Sequence, residues 1–371
     1  MNNDKLTQKA GDNAQQMQAG TIVVNNYNTG ITEKRAREIA DEQIKHALEM
    51  YSKEAYEKGV ERVFKFLDRL IAKISRIENA FQSFAEPSFL KYLRDAQESA
   101  ASTDQEEDHD ILAELLACHI KNKNDRKQSS AIHQAIKIIS EIDNDALCGL
   151  TVAHMFINFM PGKDSCQEGL TIMNNLFSKL LYQDLPTDYY WLDRLDILRA
   201  VRIMPKGYTK KGVYEYYSLH TGYICVGIKE NSEIHKKAID FLESAKISRF
   251  LLQPNEFLEG YLRLPLNDEK SINEGAFATE TGNIPFSNEH KQALKDVLSI
   301  YAHDPHLQTQ VQENFIRKWD SFESLHKFRL WWDTIPHAFE ITSVGSILAH
   351  TNAKRCDPDL PVLITNWEKQ S

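Results

Sequence analysis

The sequence predicts a mainly α-helical protein: an N-terminal short strand, a long coiled-coil-like helix, and a multi-helix body with at most a small β element. Three observations support this fold class. A β-branched run at residues 21–24 is followed by turn residues, apolar residues recur at helical spacing over residues 60–81, and amphipathic segments fill the remaining chain. The 371 residues, 42% of them hydrophobic, suffice for one or two sizeable cores.

Residues 1–30 are expected to form a flexible Gln/Asn-rich segment with one short strand. The strip from Gly11 to Gly20 has too few apolar side chains to offset the entropy of ordering. The strand contains Ile22, Val23 and Val24. Because a lone strand has unpaired N–H and C=O groups along both edges, it must pair with the body of its own chain or with another subunit. Pairing between subunits is our preferred interpretation, and simple disorder is the third alternative.

Residues 31–83 predict one long amphipathic helix that drives oligomerisation. Thr32 can cap its first N–H groups, Glu33 favours the helix dipole, and Gly59 indicates a bend or break. Apolar residues then alternate at spacings of three and four, as in a coiled-coil seam: Val60, Val63, Leu67, Leu70, Ile74, Ile77 and Phe81. The alternative is that this seam packs within its own chain.

Residues 84–371 predict a helical body. Pro87 closes the long helix and can open the next one. Further amphipathic segments are 130–142, 146–160, 167–182, 189–202, 234–245, 289–302 and 322–334. Residues 213–228 carry aromatic and β-branched side chains among glycines, which favours a hairpin, although a helix could hold their first half. The polar segment 267–283 is a candidate loop or flap that subdivides the body.

Composition narrows the class of protein. A net charge of -9 argues against a chain that wraps duplex nucleic acid, so nucleic acid is a less favoured partner than protein. No apolar run reaches the roughly 20 residues that cross a bilayer, and the N-terminus lacks the apolar region of a signal peptide. The five cysteines are widely spaced, as suits reduced thiols. We expect a cytoplasmic protein with no cofactor and no metal site.

No catalytic constellation is evident, and two groups of residues are candidates. Asp188, Asp193 and Asp196 lie near one predicted helix, where carboxylates could hold the metal of a nuclease. Such carboxylates more commonly form ion pairs with neighbouring arginines. His303 and His306 flank a carboxylate, an arrangement suited to metal ligation or acid–base work and equally common in ordinary turns.

Trp331 and Trp332 are candidates for binding a partner. Neighbouring residues on a helix point about 100° apart, so both rings cannot face the same way. An exposed tryptophan would suit a binding hot spot. The alternative is that both rings pack into the helical core.

Several groups of residues resemble an uncharacterised family of bacterial proteins. They are Gln18-Ala19-Gly20, Thr29 to Thr32 with Ala36 to Ala40, Phe84 to Phe89 with Ala96-Gln97, and Phe339 to Gly345 with Ala349 to Asn352. The last group contains a T-x-V-G pattern at the start of a predicted helix. Similar N-terminal strips occur ahead of bacterial conflict and phage-defence modules, so the resemblance implies a role in defence. It brings no established activity and no catalytic residue.

We therefore expect a cytoplasmic, homo-oligomeric interaction or sensor protein of bacterial antiphage defence. Its N-terminal module would drive assembly, and its body would recognise a protein or phage-derived trigger. One alternative is a metal-dependent nuclease effector that uses the aspartate or histidine candidates. Another is a structural adaptor for a separately encoded effector.

Overall fold

A computed structural model describes most of the chain and confirms the mainly α fold class for those residues. The described residues are 30–122, 125–159, 165–188, 190–204, 213–266, 270–279, 282–335 and 338–361. The predicted strand at Ile22, Val23 and Val24 lies outside them. None of the helices in the described ranges is both long enough and apolar enough to cross a membrane.

These ranges contain fifteen α-helices and three small antiparallel sheets. The helices are α1 (Glu33–Ala47), α2 (Lys53–Ile74), α3 (Pro87–Ser102), α4 (Glu106–Lys121), α5 (Arg126–Ile138), α6 (Asn144–Asn158), α7 (Cys166–Leu180), α8 (Tyr190–Ile197), α9 (Val213–Leu219), α10 (Glu233–Ser244), α11 (Lys270–Glu274), α12 (Asn288–Ser299), α13 (Pro305–Asp320), α14 (Glu323–Thr334) and α15 (Ser343–Cys356). The strands are β1 (Val201–Ile203), β2 (Ile228–Lys229), β3 (Gln253–Pro254), β4 (Tyr261–Arg263), β5 (Ala276–Thr279), β6 (Gly282–Pro285) and β7 (Phe339–Ile341). The sheets pair β1 with β7, β4 with both β2 and β3, and β5 with β6.

The predicted single long helix is two helices. The chain leaves α1 at Leu48, and Ser52 caps α2 by accepting a hydrogen bond from the Ala55 N–H at 3.3 Å. Gly59 lies inside α2 and not at a break. A Cβ there would lie 3.2 Å from the Leu48 side chain and 3.4 Å from Ala101, so the glycine allows close helix packing. The break between the two helices therefore falls just before the serine cap of α2 and not at the glycine.

The apolar seam of α2 packs inside the chain. Val63, Leu67, Leu70 and Ile74 are at most 4% exposed, and the partly buried members are Val60, Ile77 and Phe81. The seam faces α3 and α4, while ion pairs join the rim of α2 to α4, as between Lys73 and Glu114 at 3.0 Å. The helices of residues 31–83 therefore share the main core, and no separate core begins at residue 84. This packing agrees with the alternative in which the seam packs within its own chain.

Both candidate tryptophans lie in the core. Trp331 and Trp332 are 8% and 2% exposed, and the Trp331 indole N–H donates to the Pro186 carbonyl at 2.9 Å. The ring of Trp332 lies 5.1 Å from that of Phe156 and also packs on Phe328. This packing is the core alternative, and neither ring is exposed. Two adjacent rings can both be buried because α14 is surrounded by aromatic residues on more than one side.

Residues 228–301 form an inserted lobe with its own small core. Helices α10 and α12 pack together beside the sheet of β2, β4 and β3. The Ala302 N–H donates to the Gly227 carbonyl at 2.8 Å, so the chain enters and leaves the lobe at one place. Gly227 has a φ of 78°, and a Cβ there would lie 2.2 Å from the Leu262 carbonyl oxygen. The candidate subdivision at residues 267–283 lies within this lobe, where β5 and β6 pair.

The segment 213–228 is not a hairpin. Its first part is α9, and strand pairing begins only at Ile228. The aromatic residues that favoured a strand serve the main core, since Tyr216 and Tyr223 are at most 2% exposed. Tertiary burial has outweighed the β propensity of these residues.

A carboxylate ties the inserted lobe to the main body. The two oxygens of Glu256 accept hydrogen bonds from the N–H groups of Cys166 and Gln167, at 2.8 and 3.3 Å, where α7 begins. Glu256 also lies 3.6 Å from the guanidinium of Arg263, which is 2% exposed. The lobe therefore has a fixed attachment to the helices beneath it.

Buried histidines predict a loss of stability in acid. Burial, with a smaller effect of His350, lowers the pKa of His154 to about 4, and burial lowers the pKa of His220 to about 3. The unfolded chain binds these protons at a pKa of about 6.5, so their contribution is complete above that pH and is lost as the pH falls below it. We expect the free energy of unfolding to fall between about pH 6.5 and pH 4, by up to about 1.4 kcal/mol per pH unit for one histidine.

Urea unfolding at several pH values in this range gives the free energy of unfolding as a function of pH. For the variant His154→Gln, this free energy should fall less steeply with decreasing pH than it does for the unsubstituted protein. His46→Gln, at an exposed histidine, is the matched control and should keep the original slope. Equal slopes in all three proteins would contradict this account.

Candidate functional site

A polar cleft of about 700 Å³ lies where α5, the end of α8 and the start of α15 meet. Its volume is in the range of pockets that hold small molecules. The polar side chains that line it are Lys127, Ser130, His133, Gln134, Asp196, Arg199, Arg202, Thr342 and Ser343. Residues far apart in the chain therefore form one site.

The end of α8 places Arg199 in an unusual backbone conformation. The Ala200 N–H donates to the Leu195 carbonyl at 2.8 Å and the Arg199 N–H donates to the Asp196 carbonyl at 2.9 Å, the two bonds of a Schellman motif. Arg199 has a φ of 63°, where glycine is the usual residue. A left-handed conformation costs an L-residue about 1–2 kcal/mol. The fold keeps an arginine where a glycine would be less strained.

The first turn of α15 holds this Schellman turn. The Thr342 hydroxyl donates to the Arg199 carbonyl at 2.6 Å, and the Thr342 N–H donates to the Ala200 carbonyl at 3.0 Å. The same hydroxyl accepts the Gly345 N–H at 3.2 Å, which caps the helix. A Cβ at Gly345 would lie 2.0 Å from the Ala200 carbonyl oxygen. Thr342 and Gly345 therefore act together as a clamp, and this explains two positions of the T-x-V-G pattern.

The charge of the cleft is mainly positive. Lys127, Arg199 and Arg202 are exposed, and none of them forms an ion pair with another described residue. Glu340 stands opposite Arg202 in the β1–β7 ladder, yet no ion pair joins the two. Asp196 is the one described acidic side chain that lines the cleft. Three cations against one carboxylate attract anions in a protein that is acidic as a whole.

The wall formed by α5 contains a histidine held by a carboxylate. The His133 Nε2–H donates to an oxygen of Asp95 on α3 at 2.5 Å, and the imidazole stacks on the Tyr92 ring at a centroid distance of 4.3 Å. The Lys137 ammonium lies 3.7 Å from the same carboxylate. Burial, and next the charge of Asp95, raise the pKa of the Tyr92 hydroxyl. The imidazole has a fixed orientation at the edge of the cleft.

The aspartate candidates do not converge. Asp188 accepts a hydrogen bond from the Tyr190 N–H at 2.9 Å and so serves the start of α8. Asp193 lies on α8, half-buried, while Asp196 lies in the cleft and accepts the Ile203 N–H at 3.2 Å. Of the three, only Asp196 contributes to the polar cleft, and it does so as a tether of β1.

The histidine candidates lie elsewhere on the surface. Asp304 between them caps α13 by accepting the N–H groups of His306 and Leu307, at 2.8 and 3.2 Å. His303 and His306 are exposed and lie outside the polar cleft. Within the described part of the chain, no group of three or more His, Cys, Asp or Glu side chains is placed to hold a metal ion.

Most side chains of the cleft were not among the candidates predicted from the sequence, which included Asp196 but not Lys127, His133, Arg199 or Arg202. The clearest signal was the T-x-V-G pattern, because a glycine three residues after a capping threonine indicates close approach of another backbone. The pattern does not identify that other backbone, because the turn at Ala200 is brought to Gly345 by the pairing of β1 with β7.

The fold and cleft define a mainly helical protein with an inserted lobe and a basic cleft at the start of its last helix. The model of an uncharacterised protein family matches residues 30–364, and the chain belongs to that family. No curated protein and no solved structure matches the chain. The family brings no activity, so the functional argument rests on the geometry of the cleft.

We predict that Gly345→Ala disrupts the clamp. The new methyl group would meet a carbonyl oxygen of the backbone, which cannot move away as a flexible side chain could. Overpacking of this kind costs about 1–3 kcal/mol, measurable as a lower urea midpoint. Ser346→Ala, one residue along the same helix, adds no atom and is the matched control. Unchanged stability of Gly345→Ala would show that α15 does not press on the turn as described.

Proposed function

We propose that this protein is an interaction or sensor protein that binds a phosphate-bearing ligand in the polar cleft and assembles through its N-terminal segment. The observation that carries the proposal is the cluster of Lys127, Arg199 and Arg202, none of them ion-paired with another described residue. Like charges that line one cleft repel each other, weakly where they are exposed to water, and a bound anion would offset that repulsion.

Phosphate suits the cleft better than a single carboxylate. A guanidinium can donate two parallel hydrogen bonds to a phosphate group, and a phosphate has enough oxygens for more than one arginine. The first N–H groups of α15, including those of Ser343 and Val344, add donors at the same cleft, because the first turn of a helix leaves them without a partner in the helix.

The strained backbone of Arg199 supports a functional role for this residue. Non-glycine residues in left-handed conformations persist where the surroundings impose them, and they concentrate at binding sites. Here the two bonds of the Schellman motif and the bonds from Thr342 impose the conformation. The side chain of Arg199, the residue in this strained conformation, lines the cleft.

Assembly is proposed for residues 1–30. Because the seam of α2 is occupied within the chain, the candidates for contacts between subunits are Ile22, Val23 and Val24, which lie outside the described residues. The cytoplasm as the location rests on the cysteine pattern, and antiphage defence as the setting rests on the resemblance. In this proposal the protein forms an oligomer in which each subunit carries one polar cleft, and these clefts bind the phosphate-bearing ligand or a phage-derived trigger.

We predict that the double variant Arg199→Gln/Arg202→Gln binds pyrophosphate far more weakly than the unsubstituted protein. Glutamine stays polar and can still donate a hydrogen bond, but it is shorter than arginine and carries no charge. A hydrogen bond to a charged group contributes about 1.5–3 kcal/mol, so each arginine should account for about tenfold or more in affinity. Titration calorimetry at two salt concentrations is the measurement, and binding should weaken at the higher concentration.

Arg249→Gln is the matched control, since Arg249 is exposed on the inserted lobe and distant from the cleft in the chain. It should bind pyrophosphate as the unsubstituted protein does. Equal affinities in the double variant and the control would rule out the cleft as the binding site. No heat of binding in the unsubstituted protein would refute the proposed ligand.

We also predict that the full chain is a discrete oligomer and that a chain beginning at residue 30 is a folded monomer. The reason is that the unpaired edges of the residue 21–24 strand need a partner. Light scattering at two concentrations gives both masses, and circular dichroism checks that the shorter chain is folded. A monomeric full chain at the higher concentration would exclude assembly through this segment.

A further inference from the structure

We propose that the polar cleft also hydrolyses phosphate esters, with His133 as the catalytic acid–base residue and Asp95 as its positioning residue. This inference rests on the proposed function, because the ester would bind at the same basic side chains. The cleft brings together the two elements that such a reaction needs. Lys127, Arg199 and Arg202 can neutralise the phosphate, and an oriented imidazole lines the same space.

The hydrogen bond to Asp95 sets the tautomer of His133. A carboxylate at this position accepts, so Nε2 carries the proton, and in the neutral ring Nδ1 keeps its lone pair. Nδ1 forms no hydrogen bond to any described residue. A histidine that donates one N–H to a carboxylate and leaves its other nitrogen open is arranged as a general base.

Groups on three helices surround this pair. Tyr92 and Asp95 come from α3, and Lys137 comes from α5 itself. His119 of α4 also lies against Tyr92, with a centroid distance of 4.5 Å. Burial, with a smaller effect of His133, lowers the pKa of His119, which favours its neutral form. The imidazole of His133 is thus fixed by a ring on its face and a carboxylate at its edge.

The reaction that this arrangement can perform is attack by water. Nδ1 of His133 takes a proton from a water molecule while the water oxygen forms a bond to phosphorus. The bond from phosphorus to the leaving oxygen breaks, and the electron pair stays on that oxygen, which takes a proton from solvent because it lies on the side of phosphorus away from the attacking water. His133 then releases its own proton to solvent. Arg199 and Arg202 balance the charge on the phosphoryl oxygens throughout. The products are an alcohol and a phosphate with one ester bond fewer.

The test uses the full-length protein with two chromogenic esters, p-nitrophenyl phosphate and bis(p-nitrophenyl) phosphate, which distinguish a monoesterase from a diesterase. General acid–base catalysis contributes about 10²–10⁴-fold, so His133→Asn should lower the release of p-nitrophenolate at least 100-fold. Its affinity for pyrophosphate should stay within about twofold, because the arginines are intact. His303→Asn, at an exposed histidine outside the cleft, should keep the full rate.

Asp95→Asn separates positioning from folding. It should lower kcat with little change in KM, because the basic side chains that bind the ester are intact while the imidazole loses the carboxylate that orients it. His133→Gln is the second variant in case His133→Asn fails to fold, which circular dichroism would show.

Two outcomes would overturn the inference, and they are distinguishable. If neither ester is hydrolysed faster than by the His133 variants while pyrophosphate still binds, the cleft binds without chemistry and the proposed function stands. If pyrophosphate does not bind either, the proposed function fails together with the inference.

Discussion

The clamp between the start of α15 and the turn after α8 is the contact on which the rest of the site depends. Thr342 bonds to two successive carbonyls of that turn, and Gly345 lets the helix approach the Ala200 carbonyl closely. The strands β1 and β7, which pair with each other, adjoin this contact: β1 follows the turn after α8, and β7 precedes α15. Because α15 also packs against α4, α5 and α6, the clamp connects the cleft to the centre of the main core. A site of exposed arginines thereby gains a rigid base, which preorganised binding requires.

The described part of the chain has two hydrophobic cores, and the proposed site lies on the body that contains the larger one. The main core includes the helices α1 and α2, and the apolar seam of α2 packs against α3 and α4. The inserted lobe has a core of its own and is attached through the Glu256 carboxylate. The cleft lies on the main body, at the meeting point of elements that already pack together. The left-handed backbone of Arg199 is a local strain at this site, and the charged side chain of the same residue forms no ion pair with another described residue.

Much of the helical structure could be predicted from the sequence, because amphipathic periodicity and caps act locally. Pro87 begins a helix as expected, and the segments near α6, α7 and α14 follow their apolar patterns. The failures have tertiary causes. Gly59 indicates a break by propensity, yet it serves packing against Leu48; Trp331 and Trp332 were candidates for exposure, yet aromatic neighbours on several helices bury both. The cleft could not be predicted, because its parts come together only through the β1–β7 ladder and the packing of α15.

The most direct test of the central claim is to locate the anion. Crystals of the full-length protein soaked in tungstate, a heavy oxyanion of phosphate-like shape, would give an anomalous signal at each bound ion. The account predicts a peak in the polar cleft, within hydrogen-bonding distance of Arg199 and Arg202 and near the first turn of α15. Peaks confined to other surfaces, with the cleft empty at saturating tungstate, would contradict it.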